Sequence, residues 1–146
     1  MFKSILVPID IAHESSWRFA IPEAVELARA SGGRLTIVTI VRELSALFES
    51  AHLAFQLERM VSDARARLRT IIASIETAGV PLSQDVKFGS IGPEILRAAA
   101  EQAADLIVME SHRPEMLDYV IGPNAAHVAR HAICSVLVLR KAAAPD

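Results

Sequence analysis

The sequence predicts an α/β fold in which an open five-stranded parallel sheet carries helices on both faces. Five short runs rich in Ile, Leu and Val alternate with segments of helical periodicity along the 146 residues. Most of these runs are apolar without interruption, which is typical of strands that are buried on both faces. Strands joined through helices in this way form right-handed crossovers, so a parallel sheet is expected.

The first two strands and the helix between them are the clearest elements. Ser4–Ile9 is a β-rich run, and Arg34–Val41 is a second one. Between them, apolar residues recur at helical spacing up to Gly32, which is expected to end the helix. Ser15 or Ser16 is expected to cap its N-terminus.

The middle of the chain adds a long helix, an edge-like strand and a short helix. Helical periodicity extends from Ala51 to Ala78, and Gly79 is expected to end it. Leu82–Phe88 shows partial alternation, which indicates a less buried strand. A helix over Pro93–Ala103 follows, with proline at its first position.

The last third carries the stretch on which a functional site is most strongly expected. The strand Leu106–Met109 feeds a polar loop, Glu110–Gly122, and the helix Asn124–His131 begins beside that loop. The strand Ser135–Leu139 follows. A strand that leads through a loop to a helix start builds anion sites, because free amide N–H groups and the helix dipole point at the ligand.

Length and composition limit the classes of protein that fit. A chain of 146 residues is expected to form one domain, residues 1–146. The net charge of −2 gives no strong attraction to nucleic acid or to an anionic membrane. No apolar run approaches the roughly 20 residues that span a bilayer. Cys134 is the only cysteine, so no internal disulfide can form, and we expect a cytoplasmic protein.

Two strand ends stand out as candidate ligand contacts. Asp10 follows the first strand and Glu110 follows the fourth. In open parallel sheets, ligands bind beyond the carboxyl ends of the strands where the strand order reverses. Asp10 could accept hydrogen bonds from a ribose hydroxyl or an adenine amino group, or it could form an Asx turn.

Four segments together resemble the universal stress protein family over essentially the whole chain. They are ILVPID, TIVTIV, GSIGPEIL and ESHRP…IGPNAAHVARHAICSVLVLR. The resemblance implies a Rossmann-like domain of the adenine-nucleotide-binding type. The SHRP stretch is similar to a branch of the family in which Arg-Pro replaces a glycine of the phosphate loop.

The resemblance implies ATP as the ligand, with or without Mg²⁺, and AMP as an alternative. The acidic residue after the first strand would hold the nucleoside, and the loop and helix start would hold phosphates. Arg113 could pair with phosphate oxygens, and Asn124 could donate a hydrogen bond in place of a missing hydroxyl. The expected ligand contacts are Pro8, Ile9, Asp10, Ile40, Met109, Glu110, Ser111, His112, Arg113, Pro114, Gly122, Pro123, Asn124 and Ala125.

The chain departs from the family's ATP-binding pattern in four ways. Glu110 and Arg113 stand at the two glycine positions of the loop. Eight residues separate Arg113 from Gly122 where nine are usual, and Pro123 replaces a hydroxyl residue. Glu110 would place a negative charge near a polyphosphate, and Pro123 removes an N–H donor.

Three functions therefore fit the sequence. The favoured one is a regulatory stress-response module that binds an adenine nucleotide. The resemblance implies that it forms a homodimer through the strand Val136–Leu139, an apolar edge that would otherwise favour aggregation. The second is a dimeric interaction protein without a nucleotide, acting on an unidentified protein partner. The third is a slow ATPase, for which Asp10 is the one candidate to position Mg²⁺ and water.

Two further features are interpreted as structural. His127 and His131 lie four residues apart on one helix, a spacing that can ligate a metal, but no third ligand is evident. Cys134 is interpreted as a small buried residue and not as a nucleophile.

Overall fold

A computed structural model describes residues 1–42, 51–111 and 123–140, without the side chains of 51–53 and 123. Five strands form one sheet in the order β3-β2-β1-β4-β5, and every neighbouring pair is parallel. The predicted fold class is therefore confirmed. The strands are β1 (Ser4–Ile9), β2 (Arg34–Arg42), β3 (Leu82–Gly89), β4 (Leu106–Glu110) and β5 (Ser135–Leu139).

Four helices connect the strands in the described part of the chain. They are α1 (Ala20–Ser31), α2 (Ala51–Ala73), α3 (Ile91–Glu101) and α4 (Pro123–His131). A short 3-10 turn, Glu14–Ser16, precedes α1. Among these described residues, no helix is both long and apolar enough to cross a membrane.

The bounds of α2, α3 and α4 differ from the sequence prediction by one to five residues. The helix α2 ends at Ala73 and not at Ala78, because the next two N–H groups bond to carbonyls only three residues back. Such bonds form a tighter turn than an α-helix. The helix α3 begins at Ile91, so Pro93 is its third residue and not its first. Proline is tolerated there because N–H groups in the first turn have no partner within the helix.

The sheet separates two apolar cores. Alternate side chains of a strand point to opposite faces. On one face, Ile5, Val7 and Ile9 of β1 pack with α1 and α2. On the other face, Leu6 of β1 packs with α3 and α4. Each helix pair therefore covers one face, as the alternation of strands and helices predicted.

The strand order places β1 beside both β2 and β4. The chain first builds outward from β1 to β3 and then returns to add β4 and β5 on the other side of β1. The carboxyl ends of β1 and β4 therefore meet where the strand order reverses. The partial burial of β3 agrees with its position at one edge of the sheet.

Candidate functional site

A small cavity lies at the reversal point, between the ends of β1 and β4 and the helices α3 and α4. Its volume is about 80 Å³. Six of the predicted contact residues line it: Pro8, Ile9, Ile40, Met109, Glu110 and Asn124. The other lining residues, which were not predicted as ligand contacts, are Ser16, Ile91 and Ile95. Ile40, Ile91, Ile95 and Met109 belong to or pack against the core on the α3/α4 face.

Asp10 begins the loop that follows β1, and it is not among the residues that line the cavity. Its Oδ1 accepts a hydrogen bond of 2.9 Å from the N–H of Ala12, which closes an Asx turn. Its Oδ2 lies 2.9 Å from Nδ1 of His13. The Asp10 side chain is 53% exposed. The Asx turn weighed in the sequence analysis is therefore present, and each carboxylate oxygen keeps a second lone pair for a ligand.

Ser16 organises the same loop and does not cap α1, so the predicted serine cap is wrong. Its Oγ accepts a 2.8 Å hydrogen bond from the N–H of Asp10. The same hydroxyl lies 2.9 Å from the Asp10 carbonyl and 2.8 Å from the His13 carbonyl, to either of which it can donate. Because Ser16 is buried, these bonds fix the backbone at the end of β1. Arg67 of α2 also donates to the Ile11 carbonyl, at 3.2 Å.

Glu110, at the end of β4, provides the cap for α1 that the serines do not. One carboxylate oxygen, Oε1, accepts hydrogen bonds of 2.6 Å from the N–H groups of both Phe19 and Ala20. Phe19 is the residue that precedes α1, and its own side chain makes no capping bond. A negative carboxylate at this position also interacts favourably with the helix dipole.

The alternation of β4 explains why the Glu110 side chain reaches α1. Leu106 and Val108 belong to the core on the α1/α2 face, whereas Ile107 and Met109 belong to the core on the α3/α4 face. Glu110 is next in the alternation, so its side chain falls on the α1 side. Its carboxylate therefore points away from the start of α4, although the residue also lines the cavity.

The helix α4 packs on the opposite face of the sheet from α1. Asn124 is exposed and lines the cavity, whereas Ala125 is buried among α3 and α4 side chains. Pro123 is the first residue of the helix. Ser111 donates its N–H to the Leu139 carbonyl at 2.9 Å, which extends the β4–β5 pairing. The predicted contacts His112, Arg113, Pro114 and Gly122 lie outside the described residues.

His127 and His131 contact each other on α4, with ring centroids 4.6 Å apart. The His127 ring packs against Gly92 of α3 so closely that a Cβ at Gly92 would lie 2.5 Å from Cδ2 of the ring. His127 is therefore part of the α3–α4 contact. In the described ranges, no group of three His, Cys, Asp or Glu side chains could hold a metal ion.

Cys134 is partly buried between α4 and β5. Burial raises the pKa of its thiol, which disfavours the thiolate that a nucleophilic cysteine requires.

Comparison with known proteins agrees with this fold. Residues 1–140 match the Universal stress protein family. Universal stress protein G of Shigella flexneri is 30% identical, and the alignment covers 96% of this chain and all of that protein. The Arabidopsis thaliana family protein with AMP bound has a TM-score of 0.66 at 16% identity, with 97% of this chain and 93% of that chain covered. A universal stress protein in complex with cAMP has a TM-score of 0.64 at 20% identity, with 97% and 98% covered. The two structures share the fold, and the chain belongs to the universal stress protein family.

Proposed function

We propose that this protein is a regulatory stress-response module that binds an adenine nucleotide, ATP in the first instance, in the crevice between β1 and β4. The observation that carries the proposal is the cavity at the point where the strand order reverses. Two family members of the same fold are described as bound to AMP and to cAMP. A cytoplasmic location, consistent with the single cysteine, is part of the same proposal.

The apolar wall of the crevice suits a flat base. Ile40, Ile91 and Met109 line the cavity, as does Ile9. The half-exposed Asp10 carboxylate belongs to the residue that directly follows Ile9 in the chain. An apolar pocket with a few polar groups is the usual form of a small-ligand site. The base would pack against Ile40 and Met109, and Asp10 would accept hydrogen bonds from the nucleoside. The cavity of about 80 Å³ would have to widen to hold the base.

The phosphates would lie toward the start of α4. The first turn of a helix offers amide N–H groups and the positive end of the dipole to an anion. Asn124 and Ala125 stand in that turn, and Arg113 would add a cation from the neighbouring loop. Because the Glu110 carboxylate is turned toward α1, it is held apart from this phosphate path. The Ser-His-Arg-Pro loop would then act as the arginine-containing variant of the phosphate loop.

The same proposal includes a homodimer that pairs through β5. This strand lies at the edge of the sheet and pairs with β4 alone among the described strands. Its residues Val136–Leu139 are half-buried within one copy, and Ser135 is exposed. An edge strand of this composition would otherwise invite aggregation, and a second copy would satisfy its free backbone groups.

The test is calorimetric titration of the purified protein with ATP and Mg²⁺, and with AMP in parallel. We expect micromolar binding of ATP. Ile40→Asp should weaken both nucleotides at least about tenfold, because it puts a charge into the apolar wall. Arg113→Ala should weaken ATP more than AMP, because it removes a phosphate contact.

Arg65→Ala is the matched control, since Arg65 is exposed on α2 and lies outside the cavity lining. Binding of AMP without ATP would retain the nucleoside half of the proposal and reject the phosphate half. No heat with either nucleotide from folded protein would reject nucleotide binding and favour a dimeric interaction protein.

A further inference from the structure

A second and larger cavity lies at the edge of the sheet opposite to the crevice. Its volume is about 590 Å³, which is within the usual range for a small-molecule site. It is lined by the residues that open β1 and β2, by those that lead into β3 and β4, and by the end of α1. Because the strands are parallel, their starts meet at one edge of the sheet and their carboxyl ends at the other. This basal cavity is therefore far from the β1/β4 crevice.

The basal cavity has room for a ligand because many of its lining residues are small. A Cβ at Gly79 would meet no atom within 4 Å. A Cβ at Gly33 would lie 2.5 Å from the Phe2 carbonyl oxygen, so glycine lets the chain pass close to the start of β1. The lining residues that are glycine or alanine are Ala28, Gly32, Gly33, Ala78, Gly79 and Ala103.

Three cations and one carboxylate line the basal cavity, which gives it a net charge of +2 in a chain whose own net charge is −2. The cations are Lys3, Arg29 and Arg34, and the carboxylate is Asp105. The Asp105 carboxylate accepts hydrogen bonds from the backbone N–H groups of Lys3, at 2.8 Å, and Ser4, at 3.1 Å. Backbone donors thus already satisfy this carboxylate. A recessed surface with an excess of positive charge attracts anionic ligands.

Lys3 and Arg34 are held in place by neutral oxygens and keep their charge. The Nζ of Lys3 donates to the Ser31 carbonyl at the end of α1. Arg34 donates from Nη2 to the Gln102 carbonyl at 2.8 Å and from Nε to the Ser4 hydroxyl at 3.3 Å. Within the described ranges, neither side chain forms an ion pair with a carboxylate. The bonds to carbonyls stabilise the helix ends, and both side chains keep further N–H donors for a ligand.

We propose that the basal cavity is a second ligand site, which binds a small molecule whose phosphate groups carry two or more negative charges. Two cations without a carboxylate partner require more than one negative charge on the ligand. The Arg34 guanidinium suits phosphate oxygens, which it can bind through parallel hydrogen bonds, and Lys3 adds a point charge. The inference does not rest on the proposed nucleotide site, because the two cavities share no lining residue in the described part of the chain.

The first test is calorimetric titration with sodium tripolyphosphate, a phosphate chain without a base, at low salt. We expect the wild-type protein to bind it, and Arg34→Gln to bind it at least about tenfold more weakly, because charged hydrogen bonds to phosphate are lost. Arg65→Gln is the matched control, since it makes the same change at an exposed arginine of α2 outside both cavities. The control should bind as the wild type does. No binding to the wild type, or equal weakening in both variants, overturns the inference.

Arg29→Gln is a second variant that leaves the bonds of Arg34 intact. The Arg29 side chain is 56% exposed, and its ion pair with Glu26 is of the exposed kind that contributes little to stability. We expect tripolyphosphate to bind this variant about threefold more weakly, because one of the three cations is lost. Circular dichroism shows whether each variant is folded. If Arg34→Gln does not fold, unchanged affinity in Arg29→Gln overturns the inference.

Ile40→Asp separates the basal cavity from the crevice. It should weaken ATP and leave tripolyphosphate binding unchanged, because Ile40 lines the crevice alone. If Ile40→Asp abolishes tripolyphosphate binding and Arg34→Gln does not weaken it, the phosphate chain binds in the crevice and this inference is overturned. If Arg34→Gln weakens ATP and Ile40→Asp does not, ATP binds through its phosphates in the basal cavity. The proposed nucleotide crevice then fails, and the basal site stands.

Discussion

The ends of β1 and β4 carry the same chemistry and use it differently. Each strand is followed or ended by a carboxylate at the point where the strand order reverses. Asp10 makes its bonds within its own loop and stays half-exposed. Glu110 caps α1, which begins about ninety positions earlier in the sequence. The helix α1 packs on the face of the sheet opposite to α3 and α4. An acidic residue at a strand end is therefore a ligand candidate only if its side chain falls on the ligand's face.

Replacing Glu110 should give the largest change in stability. Glu110→Ala leaves the N–H groups of Phe19 and Ala20 without an acceptor and removes a charge from the helix start. We expect the free energy of unfolding to fall by about 3 kcal/mol, because hydrogen bonds to charged groups contribute more than neutral ones. Urea denaturation measures this loss. Glu110→Gln keeps an acceptor oxygen and should cost about 1 kcal/mol. Equal stability of wild type and Glu110→Ala would show that the cap contributes nothing.

Ser16→Ala tests whether the Ser16 hydroxyl stabilises the backbone at the end of β1. The hydroxyl is buried and is the acceptor for the Asp10 N–H. We expect a loss of about 2 kcal/mol in urea denaturation, because a buried donor is left unsatisfied. Ser15→Ala, at an exposed neighbouring serine, is the control and should change stability by less than about 0.5 kcal/mol. If both variants lose the same amount, the bonds of Ser16 do not account for the order of this loop.

Asp10→Ala should show most clearly how the role of Asp10 differs from that of Glu110. Because the Asp10 side chain is half-exposed, we expect at most about 1 kcal/mol of destabilisation. Nucleotide affinity should nevertheless fall about tenfold, since a hydrogen bond to the nucleoside is lost. Calorimetric denaturation and titration of one sample measure the two effects. A large loss of stability with unchanged affinity would assign Asp10 a structural role like that of Glu110.

A third carboxylate, Glu101, gives the smallest effect and serves as a surface reference. Its hydrogen bond with Lys87 holds the pKa of Glu101 below its usual range and raises the pKa of Lys87. A carboxylate with a lowered folded-state pKa stabilises the fold above its unfolded pKa, and that contribution is lost as the pH falls through the folded pKa. Glu101→Gln should therefore flatten the acid side of the stability curve. Denaturation midpoints between about pH 3 and pH 6 measure this slope, and an unchanged slope would exclude the linkage.

Much of the fold could be predicted from the sequence because its signals are local. Apolar runs located four of the strands, partial alternation located β3, and the glycine after α1 located that helix end. The crevice could be located in the same way, because the switch-point rule requires only strand ends. The capping of α1 could not be predicted, since its acceptor lies far along the chain. Two serines just before the helix offered a plausible local cap, but Ser16 bonds to the Asp10 loop instead.

The residues of α3 that line the cavity also could not be predicted from the sequence as site residues. Ile91 and Ile95 line the cavity, yet their sequence pattern is that of ordinary core positions on α3. Only the docking of α3 beside α4 turns them toward the crevice, and Gly92 permits that docking by its contact with His127. Gly92 is visible in the sequence as part of GSIGPEIL, but nothing in the sequence identifies His127 as its packing partner.

The most direct test of the central claim is ATP titration of Glu110→Gln beside the wild-type protein. The claim is that the Glu110 carboxylate caps α1 and that the phosphates bind at the start of α4, away from this carboxylate. It predicts equal affinity within about threefold, because the charge that the variant removes does not face the ligand. A rise in ATP affinity of about tenfold or more in Glu110→Gln would contradict it and place the carboxylate against the phosphates.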